Sequence, residues 1–136
     1  LRTTKPVFLS TGFASMKEIR KKSIKFKKVN FVHTALDKKI SQNLNAIKSI
    51  QKETKRKEIA YGLHSNDHNI ILMALALQAN PIFFYIRPDN KKKYPDHDHA
   101  IILKDLREKI SYWRKCKEAL SDGKKNNLKI PKWVLE

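Results

Sequence analysis

The sequence predicts an α/β fold with parallel strands, and three features carry that prediction. Short runs of apolar, β-branched and aromatic residues alternate with longer stretches of helical periodicity, four times in succession. Most of these runs lack polar alternation, as expected of strands covered on both faces. Hydroxyl, histidine, glycine and tyrosine residues gather just after each run, at the strand ends where parallel α/β folds place their chemistry.

The elements follow in order. Residues 6–9 form a first strand that ends in Ser10-Thr11-Gly12, and residues 14–22 a short helix. Residues 29–32 form a second strand. Residues 40–53 place Ile40, Leu44, Ile47 and Ile50 at helical spacing. A third strand covers 59–63 and a strongly apolar helix 69–78. Residues 82–86 are rich in aromatic and β-branched side chains and form the fourth strand. A polar loop over 87–99 leads to a last helix over 103–120, stopped by Ser121-Asp122-Gly123. Repeated β–α units imply right-handed crossovers between parallel strands. An open doubly wound sheet and four consecutive units of a (β/α)8 barrel satisfy that pattern equally.

Composition bounds the rest. The chain has 136 residues, 40% of them hydrophobic. That suits one domain with a modest core, whereas a closed eight-strand barrel takes about 250 residues. A chain of this length that opens on Leu1 is expected to be a piece of a longer protein. No apolar run reaches the roughly 18 residues that span a bilayer, and the N-terminus lacks a signal-peptide pattern, so the expected location is the cytoplasm. The lone Cys116 excludes an intramolecular disulfide and agrees with that compartment. A net charge of +17 invites a nucleic-acid reading. The basic residues are nevertheless spread over 17–28, 48–57, 91–93, 107–117 and 124–132, and most are lysine, where base readout favours arginine. Zinc-finger spacing, basic-zipper heptads and dinucleotide or phosphate-binding glycine loops are all missing. Lysines on solvated helix faces explain the charge without a nucleic acid.

At the strand ends the sequence resembles a known family. Residues 5–19, KPVFLSTGFASMKEI, resemble the fifth-strand segment KPVIISTGMASLEEI of N-acetylneuraminate (sialic acid) synthases and their pseudaminic and legionaminic acid relatives. Residues 31–34, FVHT, resemble LLHCT on the next strand, and 60–64, AYGLH, fall on GYSDH. Residues 74–82, ALALQANPI, resemble AVALGATVI; 94–97, YPDH, resemble GPDH; and 119–124, ALSDGK, resemble the closing ALGDGVK. The matches run in family order with nearly family spacing.

The resemblance implies the C-terminal half of a TIM (β/α)8 barrel, with residues 1–125 supplying strands 5 to 8 and their helices, and 126–136 a basic tail. It implies part of an enzyme that condenses phosphoenolpyruvate with an N-acylated amino sugar, aided by a divalent metal, Mn2+ or Mg2+. Family members therefore imply phosphoenolpyruvate and the sugar as partners; no membrane or nucleic acid is expected, and a homodimer is compatible. Ser10 matches the serine that helps bind phosphoenolpyruvate, His64 the first metal-binding histidine, and Asp96 an aspartate that contacts the sugar. Thr34 closes the LLHCT-like strand. Tyr85, at the end of Phe83-Phe84-Tyr85, is positioned to stack on a substrate ring. The catalytic residues are expected in the preceding half-barrel.

Departures from the pattern fall on the metal side. The second metal histidine of the family, in EKH, falls on Tyr85; the Ser-Asp before the first falls on Gly62 and Leu63; an asparagine and a tyrosine that contact ligand fall on Leu36 and Lys38. His64, Asp67, His68 and Asp96 are an alternative ligand cluster, while the 97–99 run HDH reads as a polar loop. His33 reads as a hydrogen-bonded core histidine. Two further functions compete with the synthase: a non-catalytic barrel that binds a sugar or a partner, and a nucleic-acid-binding α/β domain.

Overall fold

The structure is a computed structural model that describes residues 4–36, 41–121, 123 and 133. Strands β1 (Val7–Ser10), β2 (Val29–Thr34), β3 (Ala60–Gly62) and β4 (Ile82–Phe83) form one parallel sheet in the order β1-β2-β3-β4. Helices α1 (Met16–Lys25), α2 (Ala46–Thr54) and α3 (Ile70–Ala76) connect them. A doubly wound sheet reverses its strand order at a switch point. Here every strand pairs with its sequence neighbour, as in the wall of a barrel.

Strand parity decides which face is which. Phe31 and His33 of β2, Ile59 and Tyr61 of the β3 segment, and Leu63 just beyond it project to the helix side. There they meet Ile19 of α1, Ile47 and Ile50 of α2, and Ile70, Ile71 and Ala74 of α3 in one continuous core. The opposite parity, Val32 and Thr34 with Gly62 and His64, faces away from the helices.

The local sequence explains the helix limits. Ser15 caps α1: its hydroxyl accepts from the Glu18 N–H at 3.4 Å, and the Glu18 carboxylate accepts from the Ser15 N–H at 2.8 Å. This reciprocal pair starts the helix at Met16 rather than at the expected residue 14. Gln78 ends α3 in the left-handed region at φ 61°, with Gln78 N–H donating to Leu75 O and Ala79 N–H to Ala74 O. That is the Schellman arrangement, built on a non-glycine residue.

Two elements differ from expectation. The helix expected over 40–53 begins only at Ala46; Ile40 lies outside the described residues. Helical spacing of Leu44 with Ile47 is overridden because Gln42 is drawn into the core, where its backbone and side chain meet His33 and Tyr61. The fourth strand is not continuous over 82–86. Sheet pairing stops at Phe83, and Ile86–Arg87 forms a separate strand, β5, parallel to β6 (Ile101–Ile102). The last helix, α4 (Leu103–Ala119), leaves β6 directly and packs on α3. Its Trp113 is buried and meets Phe84 edge-on at 5.6 Å. The 126–136 tail falls outside the described residues except for Trp133.

Phe31 is 1% exposed within the core, and Phe13 is 92% exposed in the loop before α1. Phe31→Ala is expected to lower the unfolding free energy by about 3–5 kcal/mol, and Phe13→Ala to change it by less than about 0.5 kcal/mol. Urea denaturation of the two variants beside the parent protein checks the contrast.

Candidate functional site

Four of the residues singled out from sequence share the helix-free face of the sheet. Ser10, Thr34, His64 and Tyr85 line one open depression at the C-terminal ends of β1 to β4, together with Phe8 and Phe83. Ser10 is exposed on the edge strand. Thr11 behind it is buried, and both its N–H and its hydroxyl donate to the Val32 carbonyl at 3.0 Å. Thr11 thus pins the Ser-Thr-Gly turn to β2 and fixes where the Ser10 hydroxyl stands.

Thr34 ends β2, is 7% exposed and pairs in register with Gly62. A Cβ at position 62 would stand 2.7 Å from the Thr34 hydroxyl oxygen. Glycine here is therefore a packing requirement, and it accounts for the departure from serine at that motif position. Leu63, where the motif carries aspartate, is 1% exposed in the helix-side core, where a lone carboxylate would be costly.

Asp96 does not line that depression but joins the same end of the sheet through His64 and His99. Ligand atoms of His64, Asp96 and His99 lie within 4.8 Å of one another. The His64 and His99 rings are 4.9 Å apart, and Tyr85 stands edge-on to both, at 5.4 Å from His64 and 5.0 Å from His99. Asp96 adopts a left-handed backbone at φ 57°, and its carbonyl accepts from the His99 and Ala100 N–H groups at 3.2 and 3.1 Å. That turn carries His99 inward, to 1% exposure, while the Asp96 side chain stays 40% exposed with Oδ1 at 3.6 Å from His99 Nε2.

The alternative cluster divides. Asp67 accepts from the Asn69 N–H at 2.9 Å, at the start of α3. His68 Nε2–H donates to the His99 carbonyl at 3.2 Å and so supports the site from behind. Burial holds the His68 pKa below the ordinary imidazole value, partly offset by that hydrogen bond. His33 is a core residue, 6% exposed, with Nε2–H donating to the Gln42 carbonyl at 2.9 Å. Its pKa is also lowered, first by burial. Leu36 is exposed near Gly12, and Lys38 lies outside the described residues. The lysines of α1 and most of those on α4 stand exposed on the outer faces of their helices.

Sequence reasoning missed His99, which the HDH run had assigned to a polar loop. The available signal was its spacing from Asp96: three residues, enough for a tight turn to bring both side chains to one place. Two imidazoles and a carboxylate are a donor set that fits a divalent transition ion.

The NeuB family model matches residues 1–125. The chain belongs to the NeuB family. Among solved structures it is similar to an N-acetylneuraminic acid (sialic acid) synthetase from Leptospira borgpetersenii serovar Hardjo-bovis, crystallised in complex with citrate. The two share 27% sequence identity at a TM-score of 0.78, over 90% of this chain and 45% of that one. The chain thus spans less than half the length of that synthetase and corresponds to a partial barrel of sialic-acid-synthase type. No curated protein sequence gives a significant match. Among the described residues, no helix is long and apolar enough to cross a membrane.

Gly62→Ala is expected to destabilise by about 1–3 kcal/mol through overpacking, and Thr34→Ala in the same chain to recover part of that loss; a double-mutant cycle in urea reads the coupling. With folded pKa values below 6.5, His33 and His68 bind fewer protons folded than unfolded as pH falls past that value. Their contribution is complete above about pH 6.5 and is lost as pH drops toward the folded pKa values. Denaturation midpoints should therefore be flat between about pH 7 and 9 and fall below about pH 6.5, and His33→Gln should make that decline shallower.

Proposed function

We propose that the chain is part of a sugar-acid synthase that joins phosphoenolpyruvate to the carbonyl carbon of an N-acylated amino sugar, with one water added at the enol carbon as phosphate leaves. The observation that carries this reading is the convergence of Ser10, Thr34, His64 and Tyr85 at one end of a parallel sheet, in a chain of the NeuB family. The Ser10 hydroxyl, fixed by the Thr11 anchor, donates to the phosphate side of phosphoenolpyruvate. Thr34 lies one strand over, on the floor of the same depression. The exposed Tyr85 ring stacks on the sugar, and the half-exposed Asp96 carboxylate accepts from sugar hydroxyl groups. A divalent ion held by His64, Asp96 and His99, Mn2+ or Mg2+ on the family pattern, would polarise the sugar carbonyl.

The remaining strands of the barrel, with the catalytic base and the cationic phosphate ligands, are assigned to sequence beyond these residues. They would also cover the face on which Phe8 and Phe83 meet edge-on at 5.2 Å while both remain more than one-third exposed. Residues 1–125 are then barrel and 126–136 a basic tail, in a cytoplasmic enzyme. Tyr85 at the place of a family metal histidine favours one second reading, a barrel that binds the sugar without turning it over.

Full-length protein supplied with phosphoenolpyruvate, Mn2+ and a panel of N-acylated hexosamines is expected to release inorganic phosphate. Ser10→Ala should raise KM for phosphoenolpyruvate roughly 10- to 100-fold, the loss of one hydrogen bond to a charged group. Phosphate release from none of the sugars would exclude the synthase; saturable sugar binding without release would establish the second reading.

A further inference from the structure

We infer that His99 supplies the second metal-binding imidazole of this site, in place of the histidine that the family motif puts at position 85. The inference deepens the synthase reading, since it concerns the ion of the same site, but it is tested by affinity rather than by turnover.

The geometry makes the two positions interchangeable neighbours of His64. A ring at position 85 stands 5.4 Å from the His64 ring, and the His99 ring stands 4.9 Å from it. The Tyr85 and His99 rings are themselves 5.0 Å apart and nearly perpendicular, at 89°. The imidazole has therefore moved by one ring, from the end of β4 to the segment before β6, and it keeps its distance from His64. Tyr85 fills the vacated place with an aromatic wall.

His99 is also held where a ligand must be. The Asp96 carbonyl fixes the backbone of the turn, and the His99 carbonyl accepts from His68. The Ile101 N–H donates to the Tyr85 carbonyl at 2.8 Å, which ties the two segments together next to the β5–β6 ladder. Such preorganisation is what a metal site demands of its supporting contacts. The 3.6 Å between Asp96 Oδ1 and His99 Nε2 is long for a direct hydrogen bond. Donors bound to one ion at about 2.0–2.2 Å stand about 3–4 Å apart, so the ligand atoms, now within 4.8 Å of one another, would have to draw in around an ion.

The donor set also selects the ion. Mg2+ demands oxygen ligands in a near-ideal octahedron, whereas imidazole suits transition ions. Two imidazoles with one carboxylate favour Mn2+, Co2+ or Zn2+ over Mg2+.

Purified full-length protein, titrated with Mn2+ and with Co2+ in the absence of substrates, is expected to bind one equivalent of either and to prefer both to Mg2+. His99→Gln and His64→Gln should each weaken Co2+ binding more than about 100-fold, beyond the 10- to 100-fold typical of residues that only support a ligand. Tyr85→Phe should leave the affinity unchanged. The double variant Tyr85→His with His99→Phe, which restores the family arrangement, should bind Co2+ again. Unchanged affinity in His99→Gln, or loss of affinity in Tyr85→Phe, overturns the inference. Should His99→Gln fail to fold, imidazole 15N spectra of the unsubstituted protein with Zn2+ decide: shifts at both His64 and His99 support it, and a shift at only one or at neither refutes it. Metal binding without phosphate release would count against the synthase reading alone, and phosphate release without His99-dependent metal binding against this inference alone.

Discussion

The pairing of β2 with β3 places Val32 opposite Ala60 and Thr34 opposite Gly62, and with that register the two faces of the sheet acquire different duties. Because side chains alternate along a strand, the same pairing sends Phe31, Tyr61 and Leu63 into the helix layer. A slip of β3 by one residue would carry His64 into the apolar core and expose Tyr61. The dry side therefore specifies the wet side: burial of Tyr61 and Leu63 is what aims His64. Burial also pushes the Tyr61 phenol well above its ordinary pKa, so it remains a neutral donor to Gln42 Oε1 at 3.2 Å. That contact holds the segment before α2 against the sheet.

The second constraint comes from the far end of the chain. If β4 ran on to residue 86, nothing would bring the 94–101 segment against His64. Its interruption at Phe83 and the start of β5 at Ile86 create a short second ladder, and that ladder carries His99 to the end of β3. Phe84 between them turns toward Trp113 of α4, so the same break secures the last helix. Site and helix layer are coupled through five consecutive residues, 82–86.

Much of this was legible in the sequence because it depends on local pattern. Unalternating apolar runs marked β1 to β3, whereas the reciprocal Ser15–Glu18 cap that starts α1 at Met16 came from the structure. The strand ends were identifiable once the strands were, and the family resemblance then drew attention to Ser10, Thr34, His64 and Tyr85 at them. What could not be read depends on distant partners. Gln42 sits in a helical-looking stretch, yet its polar groups answer those of His33 and Tyr61, residues 9 and 19 positions away. The strand break at Phe83 answers a pairing with Ile101 that no local pattern announces. His99 was misjudged for the same reason: a histidine in a polar run is ordinary until a turn of left-handed backbone buries it.

The inferred exchange, with His99 in the ligand role that the motif gives to position 85, bears on what such a site requires. An ion is held by the kind and number of its donors and by their distances, not by the strand each comes from. With the 94–101 segment beside β4, an imidazole on either side of the Tyr85–His99 contact would stand at a similar distance from His64. The free choice then lay in what to place at position 85. Tyrosine there keeps an aromatic ring against both histidines and stays half-exposed at the rim of the open depression. On the proposed reading, tyrosine at a position where the motif has histidine thus sets a flat, half-exposed ring beside His64 and His99, on the side where the proposed sugar would lie.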